Sequence, residues 1–449
     1  MNVYLKGGFL ITPQEDGAVS VKKRDVFVED GKIAFSKNES LKYRTINVEG
    51  KVILPALVNP HHHIYSTLSK GLPCQVPFVD FERTLAQLWW LLDQALDSQS
   101  NILSTVLTMQ DSIKNGVTTV FDHHISGNIK GALSEMGEVF ENYKVNGVLC
   151  YESTNRNGEE KFNDIVKENV SFATQAKAKK GLKGMIGMHA LLTLNDKNLK
   201  VLSEKTDDFP IHCHVAEGGV DEVYSLADYK KTIIQRLEDF GLLRDNSLII
   251  HASNINEKEI DILSKKDIFI GQAIDSNMNN ALAAANIKTF VDNGIKVVAG
   301  TDGMHSSAFK AMKNSFEFCK YTNQNPDVGF PEGVSLFNSS YVLKRRFGFP
   351  LGVLEDQECD IAVFDYVPAT PFDESSFFGH LIFGIQEARC QYVLKGDQIL
   401  LDNFILNSDL DSPYSKLINS SIDVSQKMFD RFAQLQKVSP YTVGRRYNK

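Results

Sequence analysis

The sequence has no long hydrophobic segment and no paired cysteine motif. The chain of 449 residues contains six cysteines, and none of them forms a Cys-x-x-Cys pair. No run reaches the roughly 18 apolar residues of a membrane span. The amino-terminal stretch MNVYLKGGFLITPQEDG lacks the basic start and apolar core of a signal peptide. These absences argue against a disulfide scaffold or a membrane protein, and they predict reduced thiols and a cytoplasmic location.

An excess of positive charge is missing as well. The formal net charge is −8, from 48 lysines and arginines against 56 aspartates and glutamates. Nucleic acids and anionic membrane surfaces would repel such a chain at long range. We therefore expect neither as a partner. The content of 43% hydrophobic and 23% charged residues is that of an ordinary globular protein.

Short alternating segments typical of an antiparallel sheet occur at both ends of the chain. They are VYLKGGFLIT, VKKRDVFVEDGKIAFS and YRTINVEGKVILP near the beginning, and ECDIAVFDY and CQYVLKGDQILLDN near the end. Turn residues separate the β-rich runs, as in EDGK and KGD. The pattern predicts a small β-sandwich domain built from residues 1–55 and 350–406. A helical tail over residues 407–449 would follow it.

The middle of the chain repeats a short apolar run followed by residues with helical spacing. The eight runs are ILPALVN, VTTVFD, GVLCYE, GMIGMHA, FPIHCHVAE, SLIIHAS, DIFIGQA and KVVAGTD. Eight strand–helix units predict an α/β fold, a parallel (β/α)8 TIM-like barrel over residues 56–349. Such a barrel builds its active site at the carboxyl ends of its strands.

Most of the 11 histidines lie near these predicted strand ends. In NPHHHIYST, alternate residues of a strand point the same way, so His61 and His63 can face one point while His62 faces away. His214 in HCHV and Asp302 in AGTD can join them from other strands. Three imidazoles and a carboxylate, with one position left for water, suit a catalytic zinc ion, with iron or manganese as alternatives.

Two more polar residues follow predicted strands. Glu217, in HVAE, can reach the water or a leaving group without being a ligand, and His251, in LIIHAS, can donate a hydrogen bond to an oxygen at the metal. We interpret four further histidines as packing residues: His123, His124, His305 and His380. His305 follows Asp302 by three residues, so it is also a candidate substrate contact.

Together these motifs resemble the amidohydrolase superfamily, in its branch of metal-dependent aminohydrolases and chlorohydrolases. The resemblance is carried by His61 and His63 in HxH, His214 and Glu217 in HxxE, His251, and Asp302 in GTDG. The stretches LWW, TTVFDHH, MHALLTL, HVAEGGVDE, SNMNNA and GTDGM are most similar to aminohydrolases linked to selenium metabolism and anaerobic purine catabolism.

The resemblance implies roles for individual residues. It makes His61, His63, His214 and Asp302 metal ligands, and it makes Glu217, His251 and Asp302 the catalytic groups. His189, after the fourth strand, would face the substrate, as would Asn277 in the seventh loop. Two-metal members carry a carboxylated lysine on the fourth strand, but GMIGMHA contains none, so one divalent metal ion is expected. The family's His-Asn-Pro before the seventh loop is replaced here by Gln-Ala-Ile.

The insertion GLPCQVPFVDFERTLAQLWWLLDQALD after the first strand is a predicted lid. Trp89 and Trp90, with Phe78 and Phe81, could stack on a planar heterocycle. Alternatively, the LWWLL stretch is an amphipathic helix that packs on the barrel or on a second subunit. We expect a homo-oligomer, a dimer.

Three functions fit these residues. The first is hydrolytic deamination of a small nitrogen heterocycle, in which Asp302 takes a proton from the attacking water, His251 stabilises the oxyanion and Glu217 protonates the leaving nitrogen. The second is ring opening of a cyclic amide or purine-derived intermediate by the same chemistry. The third is a non-catalytic scaffold, against which the complete set of residues argues.

Overall fold

Strands from both ends of the chain pair with one another. The computed structural model describes residues 1–14, 17–74, 77–206 and 209–438. The strands concerned, numbered in chain order, are β1 (Val3–Pro13), β2 (Val19–Glu29), β3 (Lys32–Ala34), β4 (Arg44–Asn47), β5 (Val52–Pro55), β15 (Asp360–Phe364), β16 (Cys390–Lys395), β17 (Gln398–Asp402) and β18 (Ile405–Leu406).

Strand β5 joins the two ends, because it pairs in parallel with β1 and antiparallel with β15. The resulting order is β18-β17-β16-β15-β5-β1-β2-β3, with β4 alongside β1. A small β unit built from both chain ends is therefore present, as predicted. Its described strands are hydrogen-bonded into one continuous nine-stranded sheet, and its folding into a sandwich stays a prediction.

The middle of the chain forms parallel strands. They are β6 (Leu57–His62), β7 (Val117–His124), β8 (Asn146–Tyr151), β9 (Leu182–Gly184), β10 (Ile186–Met188), β11 (Ile211–Val215), β12 (Leu248–His251), β13 (Phe269–Gln272) and β14 (Lys296–Ala299). Strands β6 to β9 form one sheet and β10 to β14 another. All the pairs within these two sheets are parallel.

The fourth predicted strand is divided at Met185. The Met185 amide donates to Leu149 O at 3.2 Å and the Ile186 amide donates to Pro210 O at 3.0 Å, so the segment bonds to β8 on one side and to the start of β11 on the other. Beyond the division, the Ser153 amide donates to Gly187 O at 2.9 Å. At the other edges of the two sheets, the amide of Thr301 donates to His61 O at 2.9 Å. An isolated parallel bridge also joins His62 to Asp302.

Helices follow most of these parallel strands, and further helices lie in the lid and in the carboxyl-terminal part of the chain. Their bounds are α1 (Phe81–Thr84), α2 (Trp90–Ala95), α3 (Ser98–Lys114), α4 (Ala132–Tyr143), α5 (Glu159–Ala176), α6 (Asp196–Lys205), α7 (Gly219–Tyr229), α8 (Ile233–Asp239), α9 (Glu257–Ser264), α10 (Ile274–Asn279), α11 (Ile287–Asp292), α12 (Ala308–Asn323), α13 (Phe330–Arg346), α14 (Phe377–Phe383), α15 (Ser415–Asn419) and α16 (Ser421–Val438). Their apolar residues recur every three or four positions and pack toward the strands, as Leu133, Met136 and Phe140 do in α4.

Helix α16 forms most of the described part of the predicted tail. It buries Val424, Met428 and Phe432 and contacts α2. The Arg431 side chain donates from Nε to Ala95 O at 2.6 Å, which ties α16 to the end of α2. Residues 439–449 of the tail lie outside the described part of the chain. Among the helices that are described, none combines the length and apolar character needed to cross a bilayer.

A buried carboxylate connects the nine-stranded sheet with the parallel strands. Asp360 in β15 accepts from Thr118 in β7 at 2.6 Å, and it lies 2.8 Å from Lys344 Nζ in α13 and 3.2 Å from Lys395 Nζ in β16. Burial alone would raise the pKa of Asp360, but the two ammonium groups outweigh it and hold that pKa below its usual value. Asp360 therefore remains charged inside the protein and holds the two parts of the fold together.

Candidate active site

Two of the three consecutive histidines point to the same place. The ring centroids of His61 and His63 lie 4.8 Å apart, at the carboxyl end of β6. His62 between them is also buried, but its Nε2 lies 3.4 Å from the Ser306 hydroxyl. The strand alternation inferred from the sequence accounts for this division.

His214, from β11, completes a group of three imidazoles. Its Nε2 lies 3.0 Å from Nε2 of His63. His63 Nδ1 lies 2.7 Å from His123 O, and a carbonyl can only accept, so Nδ1 carries the proton and Nε2 presents a lone pair. Burial lowers the pKa of His61, His63 and His214, which favours neutral rings. Neutral imidazole is the form that binds metal.

Asp302 brings a carboxylate to the same point. Its oxygens lie 3.4 Å from His63 Nε2 and 3.9 Å from His61 Nε2. Burial acts to raise the pKa of Asp302, but the surrounding histidines outweigh it and lower that pKa below its usual value. The backbone φ of +53° at Asp302 is unusual for a residue with a side chain, and such conformations concentrate at functional sites.

Glu217 and His251 lie beside this carboxylate. His251 Nε2 is 3.7 Å from Glu217 Oε2 and 3.7 Å from Asp302 Oδ2. Burial raises the pKa of Glu217, although the nearby His251 opposes the shift. Two carboxyl groups of opposite tendency, one with a raised pKa and one with a lowered pKa, therefore flank a single imidazole. Such pairs divide the acid and base roles of catalysis.

The backbone at His251 is held in a left-handed conformation, with φ +68°. Two side chains from the seventh strand and its loop hold it there. Gln272 Nε2 donates to His251 O at 3.0 Å, and Asn277 Oδ1 lies 3.1 Å from His251 Nδ1. The Gln-Ala-Ile stretch that departs from the family pattern thus contributes the amide that supports His251.

The structure adds two residues that the sequence did not identify as functional. His123 offers a nitrogen that lies, with those of His61, His63 and His214, within a group spanning 4.8 Å. Glu152 Oε1 lies 3.3 Å from His63 Nδ1, and burial raises its pKa well above the usual value. Both lie at the ends of predicted strands, the same signal that identified His214. Three-dimensional proximity was needed to distinguish them from packing residues.

The predicted lid borders the pocket above these groups. Its lining includes Phe81, Leu85, Trp89 and Trp90. A π-helical turn spans Leu85–Trp89, in which the amide of Trp90 donates to Leu85 O. Trp90 also packs against Leu85, so this segment both packs on the fold and borders the pocket. Phe78, in contrast, is 44% exposed.

The predicted substrate contacts occupy different positions. His189 lines the pocket, and its ring centroid is 6.1 Å from that of Trp90. Asn277 is buried behind His251, and His305 Nε2 lies 3.4 Å from Asp275 Oδ2. Neither residue is among the described lining residues, so their contact with substrate stays a prediction. The histidines interpreted as packing residues include His124, 3.0 Å from Ser126 Oγ, and His380, 2.7 Å from the Tyr366 hydroxyl.

The donor set fits a divalent metal ion. His61 Nε2 is fully buried and finds no hydrogen-bond partner among the described residues. Neutral imidazoles together with one carboxylate are the usual ligands of a catalytic zinc ion. A metal would satisfy this buried nitrogen, which is otherwise costly to remove from water.

The family model described as "Amidohydrolase family" matches residues 52–386. The chain belongs to that family. The resemblance noted in the sequence is thereby confirmed, as is the general class of metal-dependent hydrolase acting on carbon–nitrogen bonds. The matched region of this amidohydrolase includes every residue described above for the candidate site.

Curated relatives of this amidohydrolase include two deaminases, one from Methanosarcina mazei and one from Caldanaerobacter subterraneus. It is 25% identical over 417 residues to the 5'-deoxyadenosine deaminase of Methanosarcina mazei, covering 90% of this chain and 93% of the relative. It is 27% identical over 418 residues to the 5-methylthioadenosine/S-adenosylhomocysteine deaminase of Caldanaerobacter subterraneus, again covering 90% and 93%. The similarity therefore extends over almost the whole length of both relatives.

A solved structure shares this amidohydrolase's fold. The adenosine deaminase from Xanthomonas campestris with bound zinc superposes with a TM-score of 0.78, covering 96% of this chain and 98% of that one. The sequence identity is 16%, so the likeness concerns the fold.

Proposed function

We propose that this amidohydrolase removes an amino group from a small nitrogen heterocycle by hydrolysis, using one divalent metal ion. The observation that carries the proposal is the position of Glu217 and Asp302, each 3.7 Å from His251 Nε2 and next to the group of histidines. The deaminase names of the relatives support it. The same positions support a catalytic function over a scaffold that has lost its chemistry.

The ligands in this proposal are His61, His63, His214 and Asp302. The first choice of ion is zinc, which the Xanthomonas deaminase contains, with iron or manganese as alternatives. When bound, the ion supplies Lewis acidity that makes water nucleophilic at neutral pH. The absence of a lysine in β9 and β10 other than Lys183, which points outward to Lys179 O, supports a single ion.

The protein's own groups move the protons and support the substrate. Asp302 accepts a proton from the attacking water. His251, held in place by Asn277, stabilises the oxyanion-like intermediate that forms when the carbon is attacked. Glu217 delivers a proton to the ring nitrogen or to the leaving nitrogen. The burial of His251 and Asp302 strengthens their electrostatic interactions, because little solvent screens them.

The heterocycle would lie between the lid and the histidines. The aromatic walls of Trp89 and Trp90 favour a flat ring. His189 borders the same space and would contact the ring or its substituents. An aminopurine or one of its nucleosides is the substrate class that the relatives' names support, and this is consistent with a role in purine catabolism.

The architecture proposed for this function is a closed eight-stranded barrel over residues 56–349. The hydrogen bonds from the Thr301 amide to His61 O and from the Ser153 amide to Gly187 O each join one parallel sheet to the other, and they support closure of the two sheets into one. The remaining parts would be the β domain of residues 1–55 and 350–406 and the tail of residues 407–449. A cytoplasmic location and a homodimer stay predictions.

The deciding experiment follows ammonia release and ring absorbance together. Metal-loaded protein is incubated with aminopurines, adenine nucleosides, aminopyrimidines, aminotriazines and cyclic amides such as hydantoins. Deamination releases ammonia while an aromatic absorbance remains, whereas ring opening removes that absorbance. Turnover only of cyclic amides would replace the proposal with ring opening, and the absence of turnover and of bound metal would favour a scaffold.

A further inference from the structure

One arginine borders the pocket among many acidic groups. Arg156 follows β8 by five positions and is the sole lysine or arginine among the described lining residues. The acidic residues of that lining are Asp93, Glu152, Glu217, Asp221 and Asp302. No step of the proposed reaction uses Arg156. Its presence in the wall of the pocket therefore needs a separate explanation.

The Arg156 side chain is buried with donors to spare. It is 3% exposed, and its Nη2 donates to the equally buried Asp93 of the lid. In the described part of the chain, its Nε and Nη1 have no hydrogen-bond acceptor. Removing such donors from water without replacement is unfavourable, so natural proteins rarely leave them in that state.

The location of Arg156 suits a group on the substrate that does not react. The ring centroids of His214 and His189 lie 6.0 Å apart, and those of His189 and Trp90 lie 6.1 Å apart. The guanidinium of Arg156 lies 5.1 Å from that Trp90 ring. Two side chains therefore separate Arg156 from the histidine group, along the wall that a flat ring would follow.

We propose that Arg156 recognises an oxygen acceptor, a ring carbonyl or a carboxylate, carried by the heterocycle away from the carbon that reacts. Guanidinium N–H groups form strong, directional bonds to such oxygens. Asp93 fixes the guanidinium through Nη2 and leaves Nε and Nη1 for the ligand. The inference rests on the proposed function for the identity of the pocket, and it adds that oxo- or carboxy-substituted rings are the preferred substrates.

Binding measurements on the metal-loaded protein test the inference without requiring turnover. Calorimetry compares xanthine with hypoxanthine, which differ in one ring oxygen at C2, away from the C6 at which an adenine would react, and orotate with uracil, which differ in one carboxylate. We expect the wild type to bind the oxygenated member of at least one pair about 10- to 100-fold more tightly, as a charge-assisted hydrogen bond would give. The pair that shows the preference identifies the acceptor as a carbonyl or a carboxylate.

Substitution then assigns the preference to Arg156. R156K keeps a cation beside Asp93 but loses the planar fork, and it should reduce the preference to less than about threefold while hypoxanthine or uracil binds as before. R236K is the matched control, because Arg236 is also a buried arginine paired with an aspartate, Asp196, outside the pocket lining. It should leave the preference unchanged.

The possible outcomes separate this inference from the proposed function. Equal affinity within both pairs, no measurable binding of any probe, or a preference retained in R156K would overturn the recognition role. A preference that depends on Arg156 in a protein that releases no ammonia from any amino heterocycle would reject deamination and leave the recognition role in place.

Discussion

His63 and His214 bring their Nε2 atoms to within 3.0 Å although 151 positions separate them in the chain. Both rings are buried, and burial lowers the pKa of each, which favours the neutral imidazoles that a divalent cation requires. The close approach of two lone-pair-bearing nitrogens in a buried site is the arrangement that a shared metal ion stabilises.

His61→Ala or His63→Ala should empty the metal site, whereas His62→Ala should not. His61 and His63 face the group of nitrogens, while His62 faces Ser306. Elemental analysis after gel filtration should find roughly one ion per chain in the wild type and in His62→Ala, but less than about a tenth of that in the other two variants. Equal loss of metal in all three would contradict the predicted ligand set.

Glu217→Gln and Asp302→Asn should each reduce kcat by at least about 100-fold, because each removes a group that transfers protons. Only Asp302→Asn should also weaken metal retention, since Glu217 is not a predicted ligand. Steady-state ammonia release and metal content measure the two effects separately. Glu238→Gln, at a partly exposed surface ion pair with Lys266, is the control and should retain full activity. Wild-type turnover in either active-site variant would refute the mechanism.

Asn277→Ala should reduce kcat by about 10- to 100-fold without loss of metal. Asn277 lies behind His251 and holds its Nδ1, so its removal frees the ring to rotate away from the reacting carbon. Asn279→Ala, two residues further along α10 and exposed, is a matched control. If Asn277→Ala changed KM alone, a direct substrate contact would be the better interpretation.

Asp360→Asn should lower the free energy of unfolding by about 3–5 kcal/mol at pH 7, because it leaves the ammonium groups of Lys344 and Lys395 buried without their counterion. Asp365→Asn is the control: its carboxylate is 47% exposed in a pair with Lys51, so a loss below about 1 kcal/mol is expected. Denaturant unfolding measures both variants. A similar small loss in both would contradict the role of Asp360.

The same carboxylate predicts how stability depends on pH. The pKa of Asp360 is lower in the folded protein than the value of about 3.9 expected when unfolded. Its contribution is therefore complete above the unfolded pKa and is lost as the pH falls through the folded pKa. The difference in unfolding free energy between wild type and Asp360→Asn should accordingly shrink below about pH 4. A difference independent of pH would argue against the charged form.

Local patterns predicted much of the fold. Apolar runs with β-rich composition marked the parallel strands, since a buried strand has to be apolar along its length. The division of the fourth run at Met185 was not predictable, because it depends on hydrogen bonds to residues of other strands on both sides, which are distant in the chain. The pairing of both chain ends around β5 into one sheet likewise depends on contacts between residues far apart in the chain.

The sequence by itself determined which residues could carry the chemistry. A period of two in β6 separated His61 and His63 from His62, and the placement of His214, Glu217, His251 and Asp302 after strands indicated one shared site. The tertiary structure alone decided which other polar residues reach that site. His123, Glu152 and Arg156 have no sequence pattern that distinguishes them from packing residues. Their burial, their distances to the other site residues and their hydrogen-bond partners depend on side chains that other strands and the lid bring beside them.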